Sequence, residues 1–379
     1  MSDLPRRPLF DAFPVLRGRV PFVALADLPT PLERMERLSA GLGADLWVKR
    51  DGLTHPVYGG NKIRKFEFVF GDVLRRHARA VLTGGGLGSH HTLATAVIAR
   101  QLGLRPVCSY YCQPITEQAL LNLRRSPPLG IDAHFCGDYV GLALSFVAQV
   151  ARWLLRTGRP PYFIYPGASS TLGILGYVNA AFEIRDQLRE GQIREPDALY
   201  VAVGSCGTFA GLLLGSRLAG LGSRVVGVRI IEEDQANRDK IVRLANRAAH
   251  YLHRLDPSLP PVELQPGEVE LVDGYVGAGY AHPTEQAIRA VEQVREAEGL
   301  PLETTYTGKA MAALLDHAAH HPSSRLLFVD TFAERPGLEE GDYRQLPRQF
   351  WPAFDPANRA RCWCLRGWRD PSFCWKKNR

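Results

Sequence analysis

The sequence predicts an α/β protein of two domains, in which twisted, parallel-rich sheets are flanked by helices. Short continuous apolar runs, such as residues 198–203 and 326–329, are typical of strands buried in a parallel sheet. Amphipathic helical segments alternate with these runs, and no repeat or low-complexity tract interrupts them, which favours an α/β class. With 379 residues and 45% hydrophobic content, the chain has the length of about two domains.

The first chemically informative element is a lysine behind two glycines, in Tyr58-Gly-Gly-Asn-Lys62. Glycines take dihedrals closed to other residues and leave room for the backbone to lie close to a flat ring. A lysine amine at such a place can form a Schiff base with an aldehyde cofactor. The alternative interpretation is structural, with Lys62, Arg64 and Lys65 forming the solvated first turn of an amphipathic helix.

The second element, residues 81–99, reads as a strand, a glycine loop and a helix, and the loop ends in Ser89, His90 and His91. N–H groups at the start of a helix favour a carboxylate, and these three side chains offer hydrogen bonds or proton transfer. They are therefore candidate substrate-binding residues, although Ser89 also suits a helix N-cap. A dinucleotide-binding loop fits poorly, because serine occupies position 89 where its pattern needs glycine.

The third element is an apolar strand over 198–203, a turn of small residues and a helix over 209–219. This order aims free backbone N–H groups and the positive end of a helix dipole at one spot, which suits a phosphate. No lysine follows the turn, so a nucleotide triphosphate site is not expected. An ordinary tight turn that binds nothing is the alternative. Together with Lys62, the turn favours pyridoxal phosphate as the cofactor. The turn residues are Gly204, Ser205, Cys206, Gly207 and Thr208.

Several motifs, in this order along the chain, resemble the fold-type II pyridoxal-phosphate enzymes of the tryptophan synthase β group. Among them, the chain is most similar to the 1-aminocyclopropane-1-carboxylate deaminase and D-cysteine desulfhydrase family. Each motif alone is weak, but their order between about residue 25 and about residue 332 is specific. The matching segments are 28–32, 48–51, 59–65, 88–91, 166–170, 204–208, 279–280 and 306–310.

The resemblance implies roles for individual residues. Lys62 corresponds to the lysine that carries the cofactor, the 204–208 turn to the phosphate site, and Ser89 to a serine beside the substrate. Tyr280 and Tyr306 correspond to two tyrosines that face the substrate and help to move protons or activate a nucleophile. Thr331 aligns with a threonine near the pyridine nitrogen. The plainer alternatives are core tyrosines with satisfied hydroxyls and a polar residue at a strand end.

The resemblance also bears on the reaction. Deaminases that open the cyclopropane ring carry a glutamate directly after the second tyrosine, whereas Thr307 follows Tyr306 here. A hydroxyl from Thr331 does not force a proton onto the cofactor ring, which makes the ring a weaker electron sink. The threonine after Tyr306 favours a desulfhydrase-like α,β-elimination that gives a 2-oxo acid and ammonia, with sulfide if the substrate is D-cysteine. The alternatives are a cyclopropane-opening deaminase and a non-catalytic protein that binds the cofactor or a ligand for regulation.

Three departures from the family pattern concern the pocket. His90 replaces an asparagine that contacts the cofactor ring oxygen. It can still donate that hydrogen bond and is a predicted cofactor-binding residue, but its ring is larger and has a pKa near neutrality. Phe332 and Ala333 replace small glycines after the threonine, and Cys206 stands where glycine is frequent. Each change reshapes the pocket, so the cofactor is better determined than the substrate.

By resemblance, a large cofactor-binding domain comprises residues 1–64 and 174–345, and a small domain of residues 65–173 is inserted into it. Lys62 is then expected at the junction of the two domains, and a homodimer is the expected assembly.

Residues 346–379 lie beyond the match as a basic extension rich in Trp and Cys. From 344 onwards there are seven Arg and two Lys against two Asp, which accounts for the whole net charge of +7. We interpret the extension as a loosely attached tail, with base stacking on nucleic acid as the alternative.

The remaining expectations concern location and thiols. No stretch approaches 18 apolar residues and the N-terminus lacks the apolar core of a signal peptide, so a cytoplasmic enzyme with no membrane partner is expected. Seven scattered cysteines do not describe a disulfide framework. Cys108 and Cys112 have helical spacing, but no metal site is expected, because nothing nearby completes a ligand set.

Overall fold

The computed structural model describes residues 5–333 and 337–356, and it confirms the predicted α/β class with parallel-rich sheets flanked by helices. The helices are α1 Pro8–Ala12, α2 Leu16–Arg19, α3 Glu36–Leu42, α4 Asn61–Arg75, α5 His90–Gln101, α6 Glu117–Arg124, α7 Tyr139–Thr157, α8 Leu175–Glu190, α9 Gly207–Ala219, α10 Arg238–Leu255, α11 Glu285–Glu298 and α12 Thr307–His320. The strands are β1 Leu32–Arg34, β2 Asp45–Arg50, β3 Ala80–Gly86, β4 Arg105–Tyr111, β5 Asp132–Gly137, β6 Tyr162–Phe163, β7 Ala198–Val203, β8 Arg224–Arg229, β9 Glu270–Val272 and β10 Arg325–Asp330.

Unit 1, described over residues 5–71 and 168–333, contains a six-stranded sheet in the order β1-β2-β10-β7-β8-β9. Only the β1–β2 pair is antiparallel. Successive residues of β10 enter two different cores: Leu327 and Val329 pack with α8, α9 and α10, whereas Leu326 and Phe328 pack with α3, α11 and α12. Burial of both faces explains why the central strands are continuous apolar runs.

Unit 2, described over residues 72–167 and 337–356, contains a four-stranded parallel sheet in the order β5-β4-β3-β6. Its core includes Phe350 and Ala353 from a 3₁₀-helical segment, Arg348–Phe354, and Leu346, which lies two residues before that segment. The described part of the expected extension is therefore packed rather than loose. Residues 357–379, with their Trp and Cys side chains, lie outside the described part of the chain.

Two local predictions were wrong. The glycines 84–86, expected in a loop, complete strand β3 and pair with residues 109–111 of β4. A Cβ on Gly84 would lie 2.8 Å from Leu142 of α7, so close packing of the helix on the strand explains this glycine. Cys108, expected to share a helical face with Cys112, lies in strand β4.

Within the described residues, no helix has the length and apolarity that crossing a membrane requires.

Candidate active site

Lys62 lies in the first turn of α4, and its Nζ donates a hydrogen bond to Oδ1 of Asn61 at 2.7 Å. Burial lowers the pKa of Lys62 to about 8, because desolvation disfavours the ammonium form. Asn61 in turn donates from Nδ2 to Oγ1 of Thr208 at 3.0 Å. One asparagine therefore links the lysine to the turn that was predicted to bind phosphate.

The two glycines before Asn61 are required by the chain's own backbone. A Cβ on Gly59 would lie 1.8 Å from the carbonyl oxygen of Gly52, and Gly60 has φ +90°. The backbone N–H of Asn61 also donates to the carbonyl of Thr331 at the end of β10, at 3.3 Å. The glycines thus let α4 begin directly against the end of β10, rather than only leaving room for a ring.

The phosphate turn connects β7 to α9 as predicted, and α9 begins two residues earlier than expected, at Gly207. Cys206, its N-cap, is in the left-handed region with φ +70° and offers no side-chain cap to the helix. A non-glycine residue at such a φ is uncommon and costs energy, so the backbone at this position favours glycine. Burial raises the pKa of the Cys206 thiol.

Lys65 was not predicted as a site residue, yet it lies beside this turn. A Cβ on Gly207 would be 3.0 Å from Nζ of Lys65 and 2.4 Å from Oγ of Ser169. Lys65 is buried, and burial together with the charge of Lys62 lowers its pKa well below the usual range. The interpretation of Arg64 and Lys65 as a solvated turn was wrong, since both are buried.

Tyr280 and Tyr306 come together although they lie on different segments. Their hydroxyls are hydrogen-bonded to each other, and their rings meet edge to face at a centroid distance of 5.9 Å. The ring of Tyr306 lies against the phosphate turn, because a Cβ on Gly204 would be 3.4 Å from its Cε1 atom. Two coupled hydroxyls beside the cofactor turn can hold and pass on a proton.

Glu303, another residue that sequence reasoning missed, fixes the position of Tyr306. Its carboxylate accepts backbone N–H bonds from Thr305, Tyr306 and Thr307 at 2.7–2.8 Å, and so caps α12, whose N-cap residue Tyr306 offers no side-chain cap. The buried hydroxyl of Thr307 also contacts Glu303, at 3.2 Å from Oε1. The sequence did contain a signal for this role: tyrosine is a poor N-cap residue, and a glutamate stands three residues before it.

The loop that carries Tyr280 is held by two further charged residues. Glu232 accepts the backbone N–H of Tyr280 at 3.1 Å, and Lys309 donates from Nζ to the carbonyl of Val276 at 2.7 Å. Burial lowers the pKa of Lys309 to about 8, against the opposing effects of Glu303 and Glu232. Glu232 follows strand β8 by three residues, and residues at the carboxyl ends of parallel strands commonly line sites.

The segment expected near the pyridine nitrogen follows β10. Thr331 is half-buried, and its carbonyl contacts the start of α4 as described above. Asp330 is buried and its Oδ1 accepts the N–H of Phe332 at 3.0 Å. The Thr331 side chain stays a predicted cofactor contact.

In unit 2, Ser89 caps α5: its Oγ accepts the N–H of His91 at 3.2 Å. Ser89 and His90 are half-buried at the start of this helix. His91 is buried, and its Nε2 is hydrogen-bonded to Oγ1 of Thr83 on β3 at 2.9 Å. Capping and substrate binding are compatible for Ser89, so the roles of Ser89, His90 and His91 toward substrate stay predictions.

A buried ionic network supports the start of α4. Arg64 forms ion pairs with Asp51 at 2.7 Å and Glu183 at 2.9 Å, and Lys49 pairs with Glu183 at 2.6 Å. Burial alone would raise the pKa of Glu183, but the charges of Arg64 and Lys49 bring it down to about 2. Tyr177 donates to Asp51 at 2.6 Å. The network fixes the helix turn that bears Lys62.

These residues fit a phosphate-bearing aldehyde such as pyridoxal phosphate. Gly207 leaves space at the start of α9 where a Cβ would collide with Ser169. The buried amine of Lys65 lies beside that space, and a phosphate bound there would favour its protonated form. The amine of Lys62, with its lowered pKa, is the nucleophile that an aldehyde needs. Lys62 would hold the aldehyde carbon and the 204–208 turn the phosphate.

The comparisons with known proteins agree with this assignment. The family model described as pyridoxal-phosphate dependent enzyme matches residues 23–331. A D-cysteine desulfhydrase of Klebsiella pneumoniae is 36% identical over 304 residues, covering 79% of this chain and 88% of the relative. A protein of Pyrococcus abyssi, provisionally named a 1-aminocyclopropane-1-carboxylate deaminase, is 33% identical over 318 residues, covering 83% and 92%.

Solved structures give the same result. The crystal structure of an ACC deaminase homologue superposes with a TM-score of 0.73 at 30% identity, covering 88% of this chain and 97% of that one. An L-serine ammonia-lyase of Rhizomucor miehei shares the fold, with a TM-score of 0.54 at 19% identity, covering 82% of this chain and 94% of that one. The predicted family and cofactor are confirmed, and the chain belongs to the fold-type II pyridoxal-phosphate-dependent enzymes.

Proposed function

We propose that this enzyme catalyses α,β-elimination on a small amino acid, with D-cysteine as the substrate to test first. The observation that carries the proposal is the Tyr280–Tyr306 hydroxyl pair beside the phosphate turn, followed by a threonine. The Thr307 hydroxyl is buried and engaged with Glu303, so residue 307 offers the substrate no carboxylate. The desulfhydrase relative supports the same reaction.

Pyridoxal phosphate, when bound, supplies the electron sink that makes the substrate Cα–H acidic. The Lys62 amine takes the Cα proton onto Nζ, a task that its lowered pKa favours. The Cβ–S bond then breaks with its electron pair on sulfur, and the tyrosine pair delivers a proton to the departing thiolate. From its sequence motif, we propose that Ser89 binds the substrate carboxylate.

The released aminoacrylate tautomerises and hydrolyses in water. The overall reaction consumes D-cysteine and one water, and it yields pyruvate, hydrogen sulfide and ammonia. The second candidate, deamination of 1-aminocyclopropane-1-carboxylate, consumes one water and yields 2-oxobutyrate and ammonia. This alternative is supported by the Pyrococcus relative and by the structural similarity to an ACC deaminase homologue.

The test is incubation of the purified, cofactor-loaded protein with D-cysteine, L-cysteine and 1-aminocyclopropane-1-carboxylate in parallel. Sulfide and pyruvate, formed in equal amounts from D-cysteine and absent with the Lys62→Ala variant, would support the elimination. Formation of 2-oxobutyrate without sulfide would transfer the assignment to the deaminase. Turnover of none of the three would contradict both.

We also propose that the enzyme acts in the cytoplasm as a homodimer. The cytoplasmic assignment is supported by Cys108, Cys136 and Cys206, which form no disulfide among the described residues and suit a reducing compartment. Fractionation of cells expressing the tagged protein would test the location. The homodimer is implied by the family resemblance, and sedimentation measures it.

A further inference from the structure

Helix α7 of unit 2 has an apolar face turned toward solvent. The exposed fractions are 87% for Leu155, 70% for Val147, 66% for Leu144 and 65% for Val140. The other exposed positions between them are Leu154 and three alanines. Monomeric proteins rarely leave a continuous apolar surface of this length exposed, so the face is expected to have a partner. The exposed positions from 140 to 155 are Val140, Ala143, Leu144, Val147, Ala148, Ala151, Leu154 and Leu155.

The inner side of α7 is in part more polar than the outer side. Gln149 is buried and accepts a hydrogen bond from Arg152, and Ser145 is hydrogen-bonded to Ser109 of β4 at 2.8 Å. A surface helix ordinarily places its apolar stripe inward and its polar residues outward. The apolar outer face is therefore not explained by packing within unit 2.

The spacing of this face matches a helix–helix seam. Val140, Leu144, Val147, Ala151 and Leu154 follow one another at intervals of four, three, four and three residues. This is the heptad interval at which two helices interlock side chains. α7 has 19 residues, and at 1.5 Å per residue the seam from Val140 to Leu154 is about 21 Å long. Small side chains such as Ala151 within the seam let a second helix approach closely. The pattern indicates that the partner is itself a helix.

We propose that the outer face of α7 docks against α7 of a second copy of this chain, in an antiparallel pair about a two-fold axis. Self-association is favoured because the seam carries no charge that a copy would repel. The ends of the helix are complementary: Asp138 caps the N-terminus, and the guanidinium groups of Arg156 and Arg159 have no acidic partner among the described residues. Antiparallel docking brings each Asp138 toward these arginines, and opposes the two helix dipoles favourably.

The test is sedimentation velocity of the full-length, cofactor-loaded protein at micromolar concentration, with Val147 changed near the middle of the seam. Val147→Lys and Val147→Glu are each expected to raise the dimer dissociation constant by about 100-fold or more, because like charges then face each other in a desolvated seam. A mixture of the two variants is expected to restore a dimer, which unfolded protein would not do. Ile288→Lys, at a 41% exposed apolar residue of α11, is the control and should leave the dimer intact.

Three outcomes would overturn the proposal. A wild-type protein that sediments as a monomer would show that no second copy covers the face. If that monomer binds phosphatidylcholine vesicles and Val147→Lys abolishes the binding, a lipid surface covers the face instead. A dimer that survives Val147→Lys would show that another surface joins the copies. Failure of the mixed variants to associate would exclude the antiparallel seam. None of these outcomes depends on which amino acid is the substrate, so the two proposals fail independently.

Discussion

The hydroxyls of Tyr280 and Tyr306 share a hydrogen bond, and the ring of Tyr306 lies against the phosphate turn. Tyr306→Phe removes one member of this proton-passing pair without removing the ring. We expect kcat for elimination to fall by about 10²–10⁴-fold, with the cofactor absorbance unchanged. Steady-state sulfide release measures the loss. Tyr200→Phe, whose hydroxyl bonds to His317 at 2.9 Å, is the control. Equal activity of both variants would exclude the tyrosine pair from catalysis.

The second prediction concerns the pH dependence of cofactor attachment to Lys62. Its pKa is lowered to about 8 by burial, whereas a lysine in water titrates near 10.4. Only the neutral amine attacks an aldehyde, so attachment of pyridoxal phosphate to the apoprotein should accelerate as pH rises and level off above about pH 8. Stopped-flow absorbance across pH 6–10 measures this rate. A midpoint near 10 would mean that Lys62 is solvated.

At the residue scale, the sequence pointed to Lys62, to the tyrosines and to the phosphate turn, because these residues stand in recognisable motifs. Lys65 was missed as a site residue, although it lies three positions after Lys62 and therefore on the same side of α4. A lysine near a helix start is ordinarily solvated, whereas Lys65 is buried beside the turn at Gly207, which belongs to a distant part of the sequence. Glu303 was missed for a similar reason, since capping depends on the local backbone path.

The third prediction concerns the phosphate turn that joins β7 to α9. Gly207→Ala places a methyl group 2.4 Å from Oγ of Ser169 and 3.0 Å from Nζ of Lys65, within the space assigned to phosphate. We expect the Kd for pyridoxal phosphate to rise by at least about 10-fold, which corresponds to about 1.4 kcal/mol.

Fluorescence titration of the apoprotein measures this Kd. Gly222→Ala is the matched control, because its new methyl would lie 3.7 Å from the nearest atom, Oε1 of Glu195. An unchanged Kd for Gly207→Ala would place the phosphate elsewhere.

At the element scale, buried strands were predicted well and glycine-rich segments less well. Strand β7 has the predicted limits, because a continuous apolar run bounded by small residues permits few alternatives. The glycines 84–86 continue a strand because residues 109–111 pair with them and α7 packs closely on them. Both causes are contacts with segments more than 20 residues away, which local sequence patterns do not reveal.

For the whole molecule, stability at low pH should depend on the buried network around Glu183. Its folded-state pKa of about 2 lies below the unfolded value, so the stabilisation is fully present above the unfolded pKa of about 4.3 and is lost as pH falls toward 2. Glu183→Gln leaves Arg64 and Lys49 without that carboxylate. We expect the free energy of unfolding at neutral pH to fall by about 3–5 kcal/mol.

Urea unfolding from pH 7 down to pH 3 measures both effects, and the difference from wild type should shrink toward the acid end. Glu190→Gln is the control on the same helix, since Glu190 is 68% exposed and its only described ion pair, with Arg6, is 3.9 Å long. A loss of stability that is the same at all pH values would contradict the ionic explanation.

For the whole molecule, the composition and the alternation of strands and helices predicted the fold class. They did not predict that residues 346–354 pack on unit 2. A segment with basic and aromatic residues resembles a loose tail, and only the apolar surface of unit 2 gives Phe350 a place to be buried. The ring of Phe350 meets Tyr110 and Phe135 edge to face at 5.5 and 5.8 Å. Such contacts join residues more than 200 positions apart and leave no local signature.

The measurement that tests the central claim most directly is borohydride reduction of the purified protein followed by peptide mass mapping. Borohydride fixes a covalently bound pyridoxal phosphate to the lysine that carries it. We expect the visible absorbance band to be lost on reduction and the added mass to lie on Lys62. We also expect the Lys62→Ala variant to acquire no such mass. An adduct on Lys65 or on another lysine, or a colourless protein that pyridoxal phosphate does not reconstitute, would contradict the assignment of this site.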